Sequence, residues 1–134
     1  LEITRRPVWP ASLPISVGGA VTFGGTEVMV SDAAVPGALP MGLPRGASMT
    51  VTPWRSGDWL RLPGSRGRRS FKRLCADRGL TPEERDRLPV LRVGEAHAAD
   101  PVFGVSADFA PCSGEQTVYV RFTTKQTEEK QHEK

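Results

Sequence analysis

Two cysteines and two histidines among 134 residues leave little for metal or redox chemistry. Cys75 and Cys112 are far apart, with no C-x-x-C and no histidine at ligand spacing, so neither a zinc site nor a disulfide framework is signalled. Cys75 falls on an apolar helical face and reads as a buried thiol, a usage that fits a reducing cytoplasm. No apolar run approaches the roughly 20 residues of a membrane span, and no charged segment leads into an apolar stretch of signal-peptide type. Catalytic constellations are missing as well. His132 lies in a polar tail, and His97 in "GEAHAADP" lacks a serine or cysteine nucleophile with an obvious partner and reads as a solvated loop residue. "SVGGA" has neither the length nor the lysine of a P-loop. Glu83, Glu84 and Asp86 are explained as carboxylates at a helix start, and Asp58, after Gly57, as a turn residue. No catalytic or metal-binding residue is assigned.

One absence is local. The stretch "RLPGSRGRRSFKR", residues 61–73, contains six cations and no carboxylate. The chain carries 18 Lys and Arg against 15 Asp and Glu, a net charge of +3; without those six cations the balance is −3, so the basic character comes from one locus. Arg61 ends an expected strand, Arg66, Arg68 and Arg69 lie in a glycine-containing turn, and Lys72 and Arg73 fall in the first turn of an expected helix with Ser70 at its cap. Free backbone N–H groups and the helix dipole favour an anion there, so each cation costs a few tenths of a kcal/mol, roughly the inverse of a carboxylate's gain. A polyanion shared by the N–H groups and the guanidinium forks would offset that cost. The phosphate-binding set expected on this ground is Arg61, Arg66, Arg68, Arg69, Ser70, Lys72 and Arg73, and nucleic-acid phosphates are the obvious anions. The competing reading is a solvated charged loop. Trp54 and Trp59 flank the preceding turn, where they either stack on a ribose or base or fill the core. Arg85 and Arg87 are secondary, with Glu84 or Asp86 as structural partners.

The chain has the length of one domain and, with 14 Gly and 12 Pro, many turns and few helices. Residues 1–47 read as a Pro- and Gly-rich lead-in packing on the main domain, with a hairpin in "AVTFGGTEVMV" around Gly24-Gly25 and a loop or linker from Ser31 to Gly46. Residues 48–122 form the main domain. "SMTVTPWRSGDWLRL" supplies two strands; "SFKRLCADRG" is a short helix burying Phe71, Leu74 and Cys75 and stopped at Gly79. "TPEERDRL" is a second helix with Thr81 as N-cap, Pro82 at the first helical position, Glu84 returning the capping bond, and Pro89 as its stop. "PVLRV", "PVFGV" and "QTVYVRF" are strands, the last with Val118, Val120 and Phe122 on one face. Residues 123–134 are apolar-free and expected to be a disordered tail. The fold class is mostly β (α+β): a small antiparallel sandwich or barrel-like domain with a two-helix insertion.

The run "TPWRSGDWLRLPGSRGRRSFKRLCADRGLTPEERDRLPVLRVGE" resembles the C-terminal domain of bacterial tRNA(Ile)-lysidine synthase. The matching elements are Arg55, Gly57-Asp58, the loop at 66–69, Ser70-Phe71-Lys72-Arg73-Leu74, Gly79, and Arg85-Asp86-Arg87-Leu88-Pro89-Val90-Leu91. The resemblance implies the β-sandwich-like domain with helices that is shared with part of the phenylalanyl-tRNA synthetase β chain. It also implies a role: the parent enzyme, a carbon-nitrogen ligase, uses ATP with Mg to join lysine to the wobble cytidine of an isoleucine tRNA with a CAU anticodon. That chemistry belongs to a catalytic N-terminal domain with a Ser-Gly-Gly-x-Asp-Ser loop, absent here. This chain would instead hold the tRNA body near its acceptor stem, with no cofactor of its own. The tRNA and the catalytic N-terminal domain are the implied partners, the cytoplasm the implied compartment, and a homodimer stays open. The start at Leu1 fits a piece of a longer polypeptide. "EAHAAD" stands where the family has an apolar strand, which leaves pairing beyond Val93 open. Two rival roles are an interaction domain whose basic loop docks on an acidic protein surface, and a small enzyme using His97.

Overall fold

The computed structural model describes residues 12–124. These residues form two antiparallel sheets, a two-stranded ribbon and two short helices, so the domain is mostly β. In chain order the strands are β1 (Leu13–Ile15), β2 (Ala20–Phe23), β3 (Thr26–Ser31), β4 (Leu39–Leu43), β5 (Met49–Thr52), β6 (Trp59–Leu60) and β7 (Arg69–Ser70). The helices α1 (Phe71–Asp77) and α2 (Pro82–Asp86) follow, then β8 (Val90–Val93), β9 (Ala96–Asp100), β10 (Gly104–Val105), a 3-10 turn (Ala107–Phe109) and β11 (Gln116–Thr124). One sheet has the order β1-β5-β8-β9-β10, the other β2-β3-β11-β4, and β6 pairs with β7.

The two larger sheets share one core. Val28 and Val30 of β3, Met41 of β4 and Val118 and Val120 of β11 meet Ile15, Met49, Val51, Leu91 and Val93 from the other sheet, all buried. Period-2 alternation on β3 and β11 turns the intervening residues outward. A second cluster, Leu60, Phe71, Leu74 and Cys75, lies under the helices with Trp54, Leu80, Leu88 and Phe103 around it. Burial pushes the Cys75 thiol up to about 11, as suits a packing residue rather than a nucleophile.

The local signals act as their chemistry requires. Gly24 and Gly25 take φ of 61° and 87°, the two positive values of a two-residue hairpin turn with matching twist. A side chain at Gly24 would also press into the carbonyl oxygen of Arg87, so glycine here lets the hairpin lie close against the end of α2. Ser70 caps α1, accepting the Arg73 N–H at 3.3 Å, and Gly79 at φ 81° ends it. Thr81 and Glu84 form the reciprocal capping box of α2.

The strands that the sequence conceals contain proline. β4 occupies the segment read as a loop, and β1 lies in the lead-in. Pro14 and Pro40 are tolerated because β1 and β4 are both edge strands, where a missing N–H breaks no ladder bond. β1 pairs with β5, and β3 and β4 flank β11, so strands from residues 1–47 enter the same two sheets as those that follow. "PVFGV" gives only the two-residue β10. Asp100 Oδ1 accepts the N–H groups of Val102 and Phe103, both at 2.8 Å, and holds residues 101–103 in a turn. Pairing continues beyond Val93: β9 runs beside β8, with an irregularity between Leu91 and Arg92. β11 extends to Thr124, two residues into the expected tail, and the rest of that tail lies outside the described residues.

Candidate nucleic-acid interface

Beneath the basic loop lies a buried ionic cluster. Leu91 and Val93 of β8 enter the main core, and Arg92 between them points the other way, 1% exposed. Its Nε donates to Thr52 Oγ1 at 2.7 Å, and Nη1 and Nη2 grip the two Asp58 carboxylate oxygens at 2.8 and 2.7 Å. The same nitrogens reach the Glu95 and Pro53 carbonyls, both at 3.3 Å, so all five guanidinium protons have acceptors. A buried pair offsets its desolvation only when it is satisfied in this way. Burial works to raise the Asp58 pKa. The His97 ring, with Nδ1 3.6 Å away, and the hydrogen bonds from Arg92 and the Arg55 N–H outweigh it, and the carboxyl stays well below the usual range.

His97 is therefore not a solvated loop residue, and Asp58 is more than a turn residue. His97 sits inside β9, 4% exposed, with Nε2 at 2.9 Å from Asp100 Oδ2 and Nδ1 at 3.6 Å from Asp58 Oδ2. Its ring lies 4.8 Å from that of Phe71. Burial lowers its pKa, but the two carboxylates more than reverse that and raise it overall. The Asp58 carbonyl also accepts the Phe71 N–H at 3.0 Å, hanging the start of α1 on this cluster. An arginine in the middle of the apolar strand "PVLRV" was the available signal, since a charge there demands a buried partner.

Above the cluster, β6 and β7 pair Trp59 with Ser70 and Leu60 with Arg69, so residues 61–68 form the loop of a hairpin. Arg66, Arg68, Arg69, Lys72 and Arg73 are exposed, and Arg61 is half-buried. Arg61 Nε and Arg68 Nε both donate to Asp108 of the 3-10 turn, each at 2.9 Å, and these two arginines hold the Asp108 carboxyl below its ordinary value. Asp108 is a site residue that sequence reading missed. Among the described residues no carboxylate comes within ion-pair distance of Arg66, Arg69, Lys72 or Arg73. α1 spans only seven residues and Ser70 Oγ is occupied as its cap, so the positive surface here is built from side chains rather than from a helix end.

The two tryptophans differ. Trp54 is tied down: its Nε1 donates to Asp86 at 2.7 Å, the Arg85 guanidinium lies 4.2 Å over its ring, and Phe71 packs at 6.3 Å. Arg85 also lies 3.7 Å from Asp86, the pairing expected for it. Trp59 is 54% exposed. It borders a cleft of about 420 Å³ with Gly57, Arg68, Glu95, His97 and Asp108. Among the described residues, no His, Cys, Asp and Glu cluster could hold a metal ion, and no helix is long and apolar enough to cross a membrane.

Comparison with known proteins places these features in context. Residues 49–122 match the family described as TilS substrate C-terminal domain. The tRNA(Ile)-lysidine synthase of Azoarcus sp. (strain BH72) is 35% identical over 96 residues, covering 72% of this chain and 21% of that relative. The tRNA(Ile)-lysidine synthase of Aromatoleum aromaticum (strain DSM 19018 / LMG 30748 / EbN1) is 40% identical over 73 residues, covering 54% of this chain and 17% of the relative. The chain thus spans about a fifth of the length of these relatives. A solved structure described as "Crystal structure of TILS C-terminal domain" superposes with a TM-score of 0.68 over 87% of this chain and 98% of its own, at 16% identity, a likeness of fold.

Proposed function

Because the chain belongs to the TilS substrate C-terminal domain family, we propose that it is the tRNA-gripping part of a tRNA(Ile)-lysidine synthase. Arg66, Arg69, Lys72 and Arg73, with Arg61 and Arg68, contact RNA phosphates, and the exposed Trp59 stacks on a ribose or unpaired base at the edge of the patch. The observation that carries this reading is the contrast in pairing: the four cations at 66, 69, 72 and 73 have no carboxylate within reach among the described residues, whereas neighbouring arginines do. Cations left unpaired on one surface attract a polyanion, and phosphate contacts set register without reading sequence. An A-form major groove is too narrow for side chains, so recognition is by shape and backbone. The ligase chemistry, with ATP and Mg, belongs to a catalytic domain elsewhere in the parent protein; the substrate is an isoleucine tRNA with a CAU anticodon. This chain contributes the binding energy and orientation that bring the wobble cytidine to that domain.

Changing Arg66 and Arg69 together to alanine tests it. Both are exposed and outside the buried cluster, so circular dichroism stays native. Affinity for an in-vitro transcript of that tRNA falls, and the slope of log K against log salt flattens by about one to two, roughly one per lost phosphate contact. A folded double variant that binds like the parent removes the proposal. The Asp108 contacts favour one alternative, because they demonstrate that this loop also accepts carboxylates: docking on an acidic protein surface. An acidic polypeptide outcompeting tRNA at equal ionic strength would decide for it.

A further inference from the structure

Asp108 is the single carboxylate, among the described residues, that reaches the cations of the basic loop. Its placement is built. Ser106, 1% exposed, accepts the Asp108 N–H at 3.3 Å and the Arg61 N–H at 3.2 Å through one hydroxyl. The Ala107 N–H donates to the Arg61 carbonyl at 2.7 Å. Two of these hydrogen bonds tie the 3-10 turn to the backbone of Arg61, and the third caps the turn itself.

A carboxylate in a phosphate site has two readings with opposite signs. It either cancels positive charge and weakens RNA binding, or it orders the arginines and strengthens it. The geometry favours the second. Asp108 takes only the Nε–H of each arginine at 2.9 Å, and a guanidinium has four further N–H donors on its terminal nitrogens. Of these, Arg61 Nη1 makes one long bond, 3.4 Å, to the Ser65 carbonyl, and the Arg68 side chain is 66% exposed. One carboxylate against six cations still leaves the locus at +5. We infer that Asp108 is a positioning residue for the RNA interface: it holds Arg61 and Arg68 side by side by their inner edges so that their outer edges form a preset phosphate clamp. Ordering two long side chains before RNA arrives removes part of the entropy that binding would otherwise cost.

The inference rests on the tRNA-gripping reading, and the experiment separates the two. The full chain is titrated with the isoleucine tRNA transcript over a range of salt. Asp108→Asn weakens binding about two- to tenfold, the equivalent of one immobilised long side chain. It also flattens the salt slope by up to about 0.9, although the variant carries one more net positive charge. In an Arg61→Ala, Arg68→Ala background the same change has no further effect, because its target is gone. Tighter or unchanged binding by Asp108→Asn overturns the inference. If Asp108→Asn does not fold, Asp108→Glu, which keeps the charge and displaces the carboxylate by one methylene, must show the same loss; parental affinity there also overturns it. The Arg66→Ala, Arg69→Ala variant serves as the control: unchanged tRNA binding in it means that the RNA reading itself has failed, whereas a loss in it without a loss in the Asp108 variants defeats only the clamp.

Discussion

Two of the arginine–aspartate sites in the molecule are built in opposite ways. Arg92 and Asp58 meet in a bidentate pair with side-chain exposures of 1% and 6%, and every guanidinium proton is accounted for. Arg61 and Arg68 share one oxygen each of Asp108 at the surface, and most of their donors remain free for something else. The first arrangement is closed and holds the protein together. The second is open and leaves N–H donors facing outward, as the proposed RNA contact requires. Hydrogen-bond saturation, more than the presence of an ion pair, separates the structural Arg92 from the two arginines proposed to contact RNA.

Removing one half of the closed pair is the severest way to break this comparison. Asp58→Ala strands the buried Arg92 charge and leaves the Arg55 N–H without its acceptor, and about 3–5 kcal/mol of stability is lost. Chemical denaturation measures it, and tRNA affinity falls with it because the loop loses its base. A next, smaller effect comes from pH. Asp58 is depressed below its ordinary value near 3.8, so its contribution is present above that pH and drains away as the pH falls through the folded value. His97 is raised above 6.5, so the contribution of its charged form is present below that pH and is lost as the pH climbs through the folded value. Denaturation midpoints measured across pH should therefore peak between the two, and His97→Gln should flatten the alkaline limb and, by removing one of the groups that depress Asp58, move the acid limb to higher pH. The smallest stability effect belongs to the open pair: Asp108→Asn shifts the denaturation free energy by less than about 1 kcal/mol, as exposed ion pairs do. A large loss there would erase the distinction between the two sites.

What was legible in the sequence was local. Thr81, Pro82 and Glu84 announce a helix start within four residues, Gly24-Gly25 announces a turn, and the absence of acids around Arg66, Arg68 and Arg69 announces a patch. The motif run that suggested the family lies within the residues the family matches. The rest depends on chain-distant partners. Arg92 meets Asp58 across 34 residues, and Arg61 meets Asp108 across 47, distances at which no spacing rule operates. Proline hid β1 and β4 because propensity judges a residue without knowing whether its strand will lie at an edge. His97 was misread for a related reason: in "EAHAAD" nothing local distinguishes a loop histidine from one about to be enclosed by Asp58, Asp100 and Phe71.

The order β2-β3-β11-β4 carries one more consequence. Both neighbours of β11 come from before Met49, so a protease that cut the chain there and released its front part would leave a nine-residue strand bare along both sides. Such a strand offers two unsatisfied rows of amides to any passing chain. The remnant would self-associate into aggregates instead of surviving as a smaller soluble unit.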